Sequence, residues 1–191
     1  MNRIAVLLSG GFIGGLAVGA IGMALLQPSH KSPYVDQADS PIPGLSAQEI
    51  DDLRQGRGAG YARTAELNSY PGPRHVLDLK ADLDLSPSQE DIVYAVFEDM
   101  QRDAQHIGKM IVDQEDALSR AFATATITPE ALAERTQELA ALYSHLRATH
   151  LEAHVAITPL LSAEQIEQYD RLRGYAASPS GAPAPHSPHR H

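Results

Sequence analysis

Cysteine and tryptophan are absent from the chain, and aromatic residues make up only 5% of its 191 positions. Without cysteine there are no disulfides, no thiolate nucleophiles and no cysteine-bound zinc. A core with few aromatic side chains must be built from Leu, Ile, Val, Ala and Met, and this composition favours helices over sheets. Positive charge is also scarce, since 15 Lys and Arg against 24 Asp and Glu give a net charge of −9. Because phosphate backbones need a basic face, nucleic acid is not expected as a partner.

Charge is missing altogether from residues 4–26, which are apolar residues, glycines and a serine. Such a run crosses about 30 Å of hydrocarbon as a helix. Arg3 precedes it, so we expect residues 1–26 to form a single-pass anchor with the rest of the chain outside the cytoplasm. The alternative is a signal segment that is cleaved, which would release a soluble domain. Overlapping G-x-x-x-G spacings in the run favour close pairing of two such helices and hence dimers.

The remainder divides into three parts by composition. Residues 27–59, which begin with a proline-rich stretch, are predicted to be a flexible linker. Residues 60–175 are predicted to be a helical domain, and residues 176–191 a disordered Pro/His-rich tail. The glycines of residues 55–60 lack the G-K-[ST] ending of a phosphate-binding loop, so we interpret them as a flexible turn.

Three helix starts are visible in residues 60–175. Ser86 is a capping hydroxyl followed by Pro87 and by Gln89 three residues later, Thr128 precedes Pro129, and Ser162 begins a second capping box. After Ser86 and after Thr128, apolar residues recur at a spacing of three and four, up to a break at Pro159. A short link at residues 123–127 predicts that these two long helices form an antiparallel hairpin. Shorter helices are predicted over 75–83 and 162–175.

A two-helix hairpin cannot bury both sides of its apolar stripe alone. The fold class is therefore predicted as all-α, a long antiparallel hairpin with short flanking helices, completed by homodimerisation behind the membrane anchor.

Two short motifs lie at opposite ends of this hairpin. The first consists of Leu85, Ser86 and Gln89, and the second consists of Leu161, Ser162 and Gln165. They resemble the paired L-T-x-x-Q motifs of the Spy/CpxP/ZraP/CnrX-like periplasmic family, with serine in place of threonine. The stretch 65–77 resembles the lead-in of the heavy-metal-resistance branch of this family. The resemblance implies a cradle-shaped antiparallel dimer in the periplasm, anchored in the inner membrane, in which both motifs are structural caps of helices whose ends meet.

The residues most suited to chemistry are His150 and His154, one helical turn apart. This spacing brings two imidazoles within reach of one zinc, nickel, cobalt or copper ion, and it differs from the metalloprotease H-E-x-x-H pattern. Relative to the apolar stripe, His150 lies about 40° away and His154 about 80° away, which predicts an interface edge and its rim. The metal-sensor members of the resembled family use an equivalent histidine-bearing helix. The alternative is a pair of half-buried or solvated histidines without a ligand.

Other candidate ligands are weaker. His75 follows a Pro-Gly-Pro turn and is able to approach the hairpin from outside. His106 and Met110 have the same spacing as the His150 pair, yet they project away from the stripe and are predicted to be solvated surface. The tail has three closely spaced histidines, which either capture a divalent ion weakly or are unremarkable polar residues: His186, His189 and His191.

No nucleophile constellation or phosphate loop is present, so the chain is not expected to be an enzyme and needs no obligatory cofactor. Three functions stay open at this point. The first is a membrane-anchored heavy-metal resistance or sensor protein that binds a divalent ion and responds to envelope stress. The second is an ATP-independent chaperone that holds unfolded proteins on an amphipathic face. The third is a regulatory adaptor for a sensor kinase or an anti-sigma factor.

Overall fold

The computed structural model describes residues 32–176, which are helical and connected by turns. The order is a 3-10 turn Val35–Gln37, α1 Ala47–Gln55, α2 Arg63–Glu66, α3 Pro73–Asp78, α4 Pro87–Ala123, α5 Pro129–Ile157, a 3-10 turn Thr158–Leu160 and α6 Ala163–Arg173. Within these residues there is no strand, so the all-α prediction is confirmed. The predicted anchor (1–26) and most of the predicted tail lie outside the described residues.

The two long helices begin where the sequence places them. Ser86 caps α4 by accepting a hydrogen bond from the Gln89 amide, and Thr128 caps α5 by accepting one from the Ala131 amide. α4 has 37 residues and therefore extends over about 55 Å. A short loop joins α4 to α5, in which Ala125 adopts the left-handed conformation (φ 52°), and the two helices pack against each other as a hairpin.

The prediction of a flexible linker over residues 27–59 is wrong for its second half. Ser46 forms a capping box with Glu49 and starts α1, which Gly56 ends in the left-handed conformation (φ 62°). The apolar side chains of this segment are buried in the core around α4: Ile42, Leu45, Ile50 and Leu53. The tertiary reason is that α1 covers part of the apolar stripe of α4, which a hairpin alone leaves in water.

The short helix predicted over 75–83 is shifted. It begins at Pro73, because proline needs no amide partner in the first helical turn, and it ends at Asp78. Turns then carry the chain to Asp84, whose positive φ of 49° reverses its direction just before the cap of α4.

The core has two parts along the hairpin. One cluster joins α1 to the middle of α4 and α5 through Leu53, Ile107, Ile111 and Leu146. The other joins α3, α4, α5 and α6 near the helix ends that carry the two motifs, and its fully buried members include Val76, Val93, Ile157 and Tyr169. At the far end of the hairpin no described residue gives such cover, and Phe122 and Leu132 are 55% and 36% exposed.

The two motifs meet through their glutamines. The side-chain amides of Gln89 and Gln165 bond to each other at 2.9 and 3.2 Å. Gln89 also donates to the Leu160 carbonyl at 2.8 Å, and Gln165 donates to the Leu83 carbonyl at 3.2 Å. Each glutamine carbonyl also accepts from the amide of its own capping serine, Ser86 or Ser162. The starts of α4 and α6 are therefore joined, as the resemblance implied.

No helix between residues 32 and 176 combines the length and the apolar character that crossing a bilayer requires. Homodimerisation stays a prediction. Less apolar surface is left for a dimer to bury, because α1 covers part of the apolar stripe of α4.

Gly108 sets the approach of α1 to α4. A Cβ at this position would lie 1.9 Å from the Leu53 carbonyl oxygen. At an uncrowded position inside a helix, a Gly→Ala change stabilises the protein by up to about 1 kcal/mol. The sign of the change in stability therefore distinguishes a crowded position from an uncrowded one. We expect Gly108→Ala to lower the free energy of unfolding by about 2 kcal/mol or more, because α1 must move away. Urea unfolding measures this, with the exposed neighbour Lys109→Ala as the control; a gain of stability in Gly108→Ala would contradict the packing.

Candidate functional site

A cavity of about 740 Å³ lies between the glycine loop of residues 56–60, the α2–α3 segment and the final turns of α5. Five of its lining side chains are imidazoles or carboxylates, which commonly bind metal ions: Glu66, His75, Asp78, His150 and His154. Phe97 and Met100 of α4 give it an apolar wall. The cavity therefore combines a few polar donors with an apolar surround, which is typical of ligand sites.

His150 and His154 project into the protein from consecutive turns of α5, and they are only 3% and 6% exposed. Both side chains line the same cavity, and the prediction of a rim position for His154 is wrong. Residues 70–72 pass over that side of α5 and bury the ring, as the contacts of His154 with Tyr70 and Gly72 show. Helical periodicity describes the residues of one helix only, so it does not predict burial by a segment from elsewhere in the chain.

The orientation of His154 follows from one hydrogen bond. Its Nδ1 lies 2.8 Å from the Tyr70 carbonyl oxygen. A carbonyl only accepts, so Nδ1 carries a proton, and in the neutral ring Nε2 keeps its lone pair. The bond therefore fixes the orientation of the ring, with Nε2 as the atom that can donate an electron pair.

Gly72 allows a carboxylate and this imidazole to approach the same point. A Cβ at Gly72 would lie 2.8 Å from Glu66 Oε1 and 3.1 Å from His154 Nε2. A side chain at position 72 would therefore fill the space that these two groups share. Glycine is needed here because a side chain would have no space. Backbone conformation is not the reason, since the φ of −87° suits any residue.

Glu66 is the centre of a buried hydrogen-bond network. Its carboxylate accepts from the Tyr169 hydroxyl at 2.8 and 2.9 Å, and from His75 Nδ1 at 3.0 Å. The Gly72 amide donates to the Tyr169 oxygen at 3.3 Å, and Arg173 Nε lies 4.0 Å from Glu66 Oε2. This one side chain therefore ties α2 to α3 and α6.

Glu66 is ionised at any physiological pH. Burial by itself would raise the pKa of the carboxyl, but hydrogen bonds from His75, Tyr169 and Tyr175 outweigh it and lower the pKa to about 2. An ionised carboxylate only accepts, so the proton of this contact lies on His75 Nδ1 and the Nε2 atom of a neutral His75 keeps its lone pair.

His150 has a more apolar environment. Its ring stacks on Tyr61 with a centroid distance of 6.0 Å, and its Nε2 atom is buried without a hydrogen-bond partner among the described residues. Burial, and to a smaller extent the charge of nearby His154, lowers the pKa of His150 to about 4. The ring is therefore neutral at neutral pH.

The structure brings three of the predicted candidates together and leaves two apart. His75 joins His150 and His154 at the cavity, whereas His106 and Met110 are exposed on α4 and do not line it. The three tail histidines lie outside the described residues. Between residues 32 and 176, no three His, Asp or Glu side chains already converge as a ready-made metal site.

Sequence reasoning missed Glu66 and Tyr169. Glu66 belongs to the stretch that resembles the heavy-metal-resistance branch, so the signal was present but pointed to no particular residue. Tyr169 lies four residues after Gln165, on the same face of α6, and is the one residue that this helix buries completely.

The buried neutral state of His150 predicts an acid-sensitive stability. An unfolded histidine takes up its proton near pH 6.5, while His150 does so only near pH 4. Between these values the unfolded state binds more protons, so stability falls as the pH falls through this window. We expect His150 to account for a loss of about 2–3 kcal/mol between pH 7 and pH 4.5, measured by urea unfolding.

In the His150→Gln variant this part of the pH dependence disappears, while the exposed His106→Gln control keeps it. An unchanged slope in His150→Gln would show that the buried ring is not the titrating group.

The comparisons with known proteins agree with the two joined motifs. The family model described as LTXXQ motif family protein matches residues 73–173, which include both glutamines. Searches of the curated proteins and of the solved structures give no match. The matched region covers more than half of the chain and contains all of α3 to α6. The protein therefore belongs to the LTXXQ motif family, the family of Spy/CpxP/ZraP-like periplasmic proteins.

Proposed function

We propose that this protein is a membrane-anchored periplasmic protein of the heavy-metal resistance type, which binds a zinc, nickel, cobalt or copper ion in the cavity around His150 and His154. The observation that carries the proposal is a pair of buried imidazoles, one helical turn apart, that share a cavity with an ionised carboxylate. Imidazole with carboxylate is a donor set that suits these ions. Family members are in general not enzymes, which is consistent with a binding role.

His154 supports the proposal through its orientation. Histidines that bind metals usually donate their other ring N–H to a carbonyl or a carboxylate, which fixes the ring and makes the free nitrogen a better donor. The bond from Nδ1 to the Tyr70 carbonyl is this arrangement, with Nε2 as the donor atom. The bond from His75 Nδ1 to Glu66 repeats the pattern.

His150 supports the proposal because one of its ring nitrogens has no hydrogen-bond partner among the described residues. A buried polar atom without a partner costs free energy, and its presence calls for an explanation. Nε2 of His150 is such an atom among the described residues. Since burial keeps the ring neutral, a metal ion would not have to displace a proton from it at neutral pH.

Glu66 links the cavity to the packing of α6, which supports a structural response to metal binding. A carboxylate that turns toward a metal ion weakens its bonds to His75 and Tyr169, and Tyr169 anchors α6. Occupancy of the cavity would therefore change how α6 is held against α2 and α3. The uncharged run of residues 4–26 and the periplasmic family support a location at the outer face of the inner membrane.

A second candidate function, that of an ATP-independent chaperone, is favoured by the far half of the hairpin. Phe122 and Leu132 are exposed there, and Ile92, Tyr94 and Val155 are between 44% and 60% exposed nearer the other end. Apolar side chains among acidic ones suit basic, partly unfolded proteins, because charge guides the encounter and apolar contact holds it.

The metal proposal is tested by binding measurements on the full-length protein in non-ionic detergent. We expect micromolar binding of one ion per chain, and a loss of about 100-fold or more in affinity for the His150→Ala/His154→Ala variant, because two ligands are removed. Isothermal titration with zinc, nickel, cobalt and copper measures this.

Two control variants separate the cavity from other histidines. His106→Ala/His145→Ala removes two exposed imidazoles from the same hairpin, and His186→Ala/His189→Ala/His191→Ala removes those of the tail; both should bind as the wild type does. Loss of all binding with the tail variant alone, or unchanged affinity in the cavity variant, would refute the cavity as the site.

The chaperone candidate is tested by aggregation of a reduced, denatured basic protein at equal molar ratio. We expect the full-length protein to slow light scattering, and Phe122→Ser/Leu132→Ser to lose much of this effect because the exposed apolar surface is reduced. Gln137→Ala, exposed on α5, is the matched control. No delay with the wild-type protein would exclude this function.

A further inference from the structure

A second concavity of about 470 Å³ lies beside the histidine cavity, on the outer side of residues 59–60. Arg63 at the start of α2 and Arg147 in the middle of α5 both line it, together with the side chains of Tyr61, Thr64 and Asn68. Among the described residues, no Asp or Glu lines it. Two arginines therefore line one concavity whose described wall has no carboxylate.

Neither arginine has an ion pair within the part of the chain that the structure describes, a property that they share with Arg54 and Arg135. Arg57, Arg74, Arg102, Arg120 and Arg171 each pair with a carboxylate within 4 Å. Arg63 and Arg147 form no ion pair with any acidic side chain that the structure describes, although the chain has 24 Asp and Glu against 15 Lys and Arg. All 24 acidic residues lie between residues 36 and 170, so the segments outside 32–176 have no acidic side chain to supply.

Gly60 shapes this side of the concavity. A Cβ on Gly60 would lie 2.9 Å from Arg63 Nη2, and the residue has a positive φ of 84°. The loop therefore leaves room for the guanidinium to lie across its backbone. Arg147 is an exposed residue whose backbone is fixed in the interior of a long helix.

We propose that Arg63 and Arg147 form a binding site for a small oxyanion, either a carboxylate or a phosphate group. A guanidinium offers two parallel N–H donors that match the oxygens of both groups. Thr64 also lines the concavity, and its hydroxyl has no side-chain partner among the described residues, so it adds a donor. The concavity shares Ala59, Gly60, Arg63 and Leu67 with the histidine cavity, but anion binding here does not require a metal ion there.

The experiment titrates full-length protein in non-ionic detergent with inorganic phosphate and, in a separate arm, with succinate. EDTA is present and the ionic strength is held constant with potassium chloride, so neither metal binding nor salt screening contributes. Isothermal titration gives the affinity, and the 15N–1H signals of the arginine Nε–H groups report which side chains respond. We expect saturable binding in the millimolar range in at least one arm, and the arm that binds identifies the source of the oxyanion.

Three variants locate the site. Arg63→Gln and Arg147→Gln should each weaken binding about tenfold, which corresponds to the loss of one charge-assisted contact. Arg135→Gln is the matched control, because Arg135 lies on the same helix, has no ion pair with a described side chain and does not line the concavity; its affinity should stay within about twofold of the wild type. Absence of saturable binding in both arms up to about 50 mM would overturn the proposal, as would equal weakening by Arg135→Gln.

Discussion

A partly buried carboxylate organises the part of the molecule where the candidate site lies. Glu66 ends α2, a helix of only four residues that has little stability of its own. Its bonds to His75 and Tyr169 connect it to α3 and to α6, and the hydroxyl of Tyr169 in turn accepts from the Gly72 amide. Removing a charge from such a network leaves buried donors without partners, which costs more than the bonds themselves contribute. The walls of the histidine cavity are therefore held by one acidic side chain that also suits a metal ion.

The hairpin supports two different surfaces because its cover is uneven. Near its middle and at the end with the two motifs, α1, α3 and α6 pack against α4 and α5 and create a partly open, partly polar cavity. At the far end nothing within residues 32–176 covers Phe122 and Leu132. A concave site with a few polar donors favours a small ligand, whereas an open apolar stripe favours a second protein surface. The cavity of the proposed metal site and the exposed side chains of Phe122 and Leu132 therefore lie in different parts of one hairpin.

Much of the helical layout was predictable because its signals are local. The caps at Ser86, Thr128 and Ser162 and the apolar spacing after them depend only on nearby residues, and the structure confirms them. α1 was missed because the proline-rich residues before it dominate the composition of 27–59, although Ser46 and Glu49 form a capping box that the sequence displays. The candidate site was predictable in part. The i, i+4 spacing identified His150 and His154, but a helical wheel assigned His154 to the rim, since it contains no information about the segment that crosses above it.

The sequence alone identifies a cysteine-free, helical protein with a long hairpin, a glutamine motif before and after that hairpin along the chain, and two histidines on one helix face. These properties follow from composition, caps and periodicity, each of which acts over a few residues. The tertiary structure is needed to show that α1 belongs to the core and that Arg63 and Arg147 line one concavity. It also shows that Glu66 and Tyr169, which lie 103 positions apart in sequence, share a hydrogen bond. Such contacts join residues that no local rule connects, because they result from the burial of several apolar faces against one another at once.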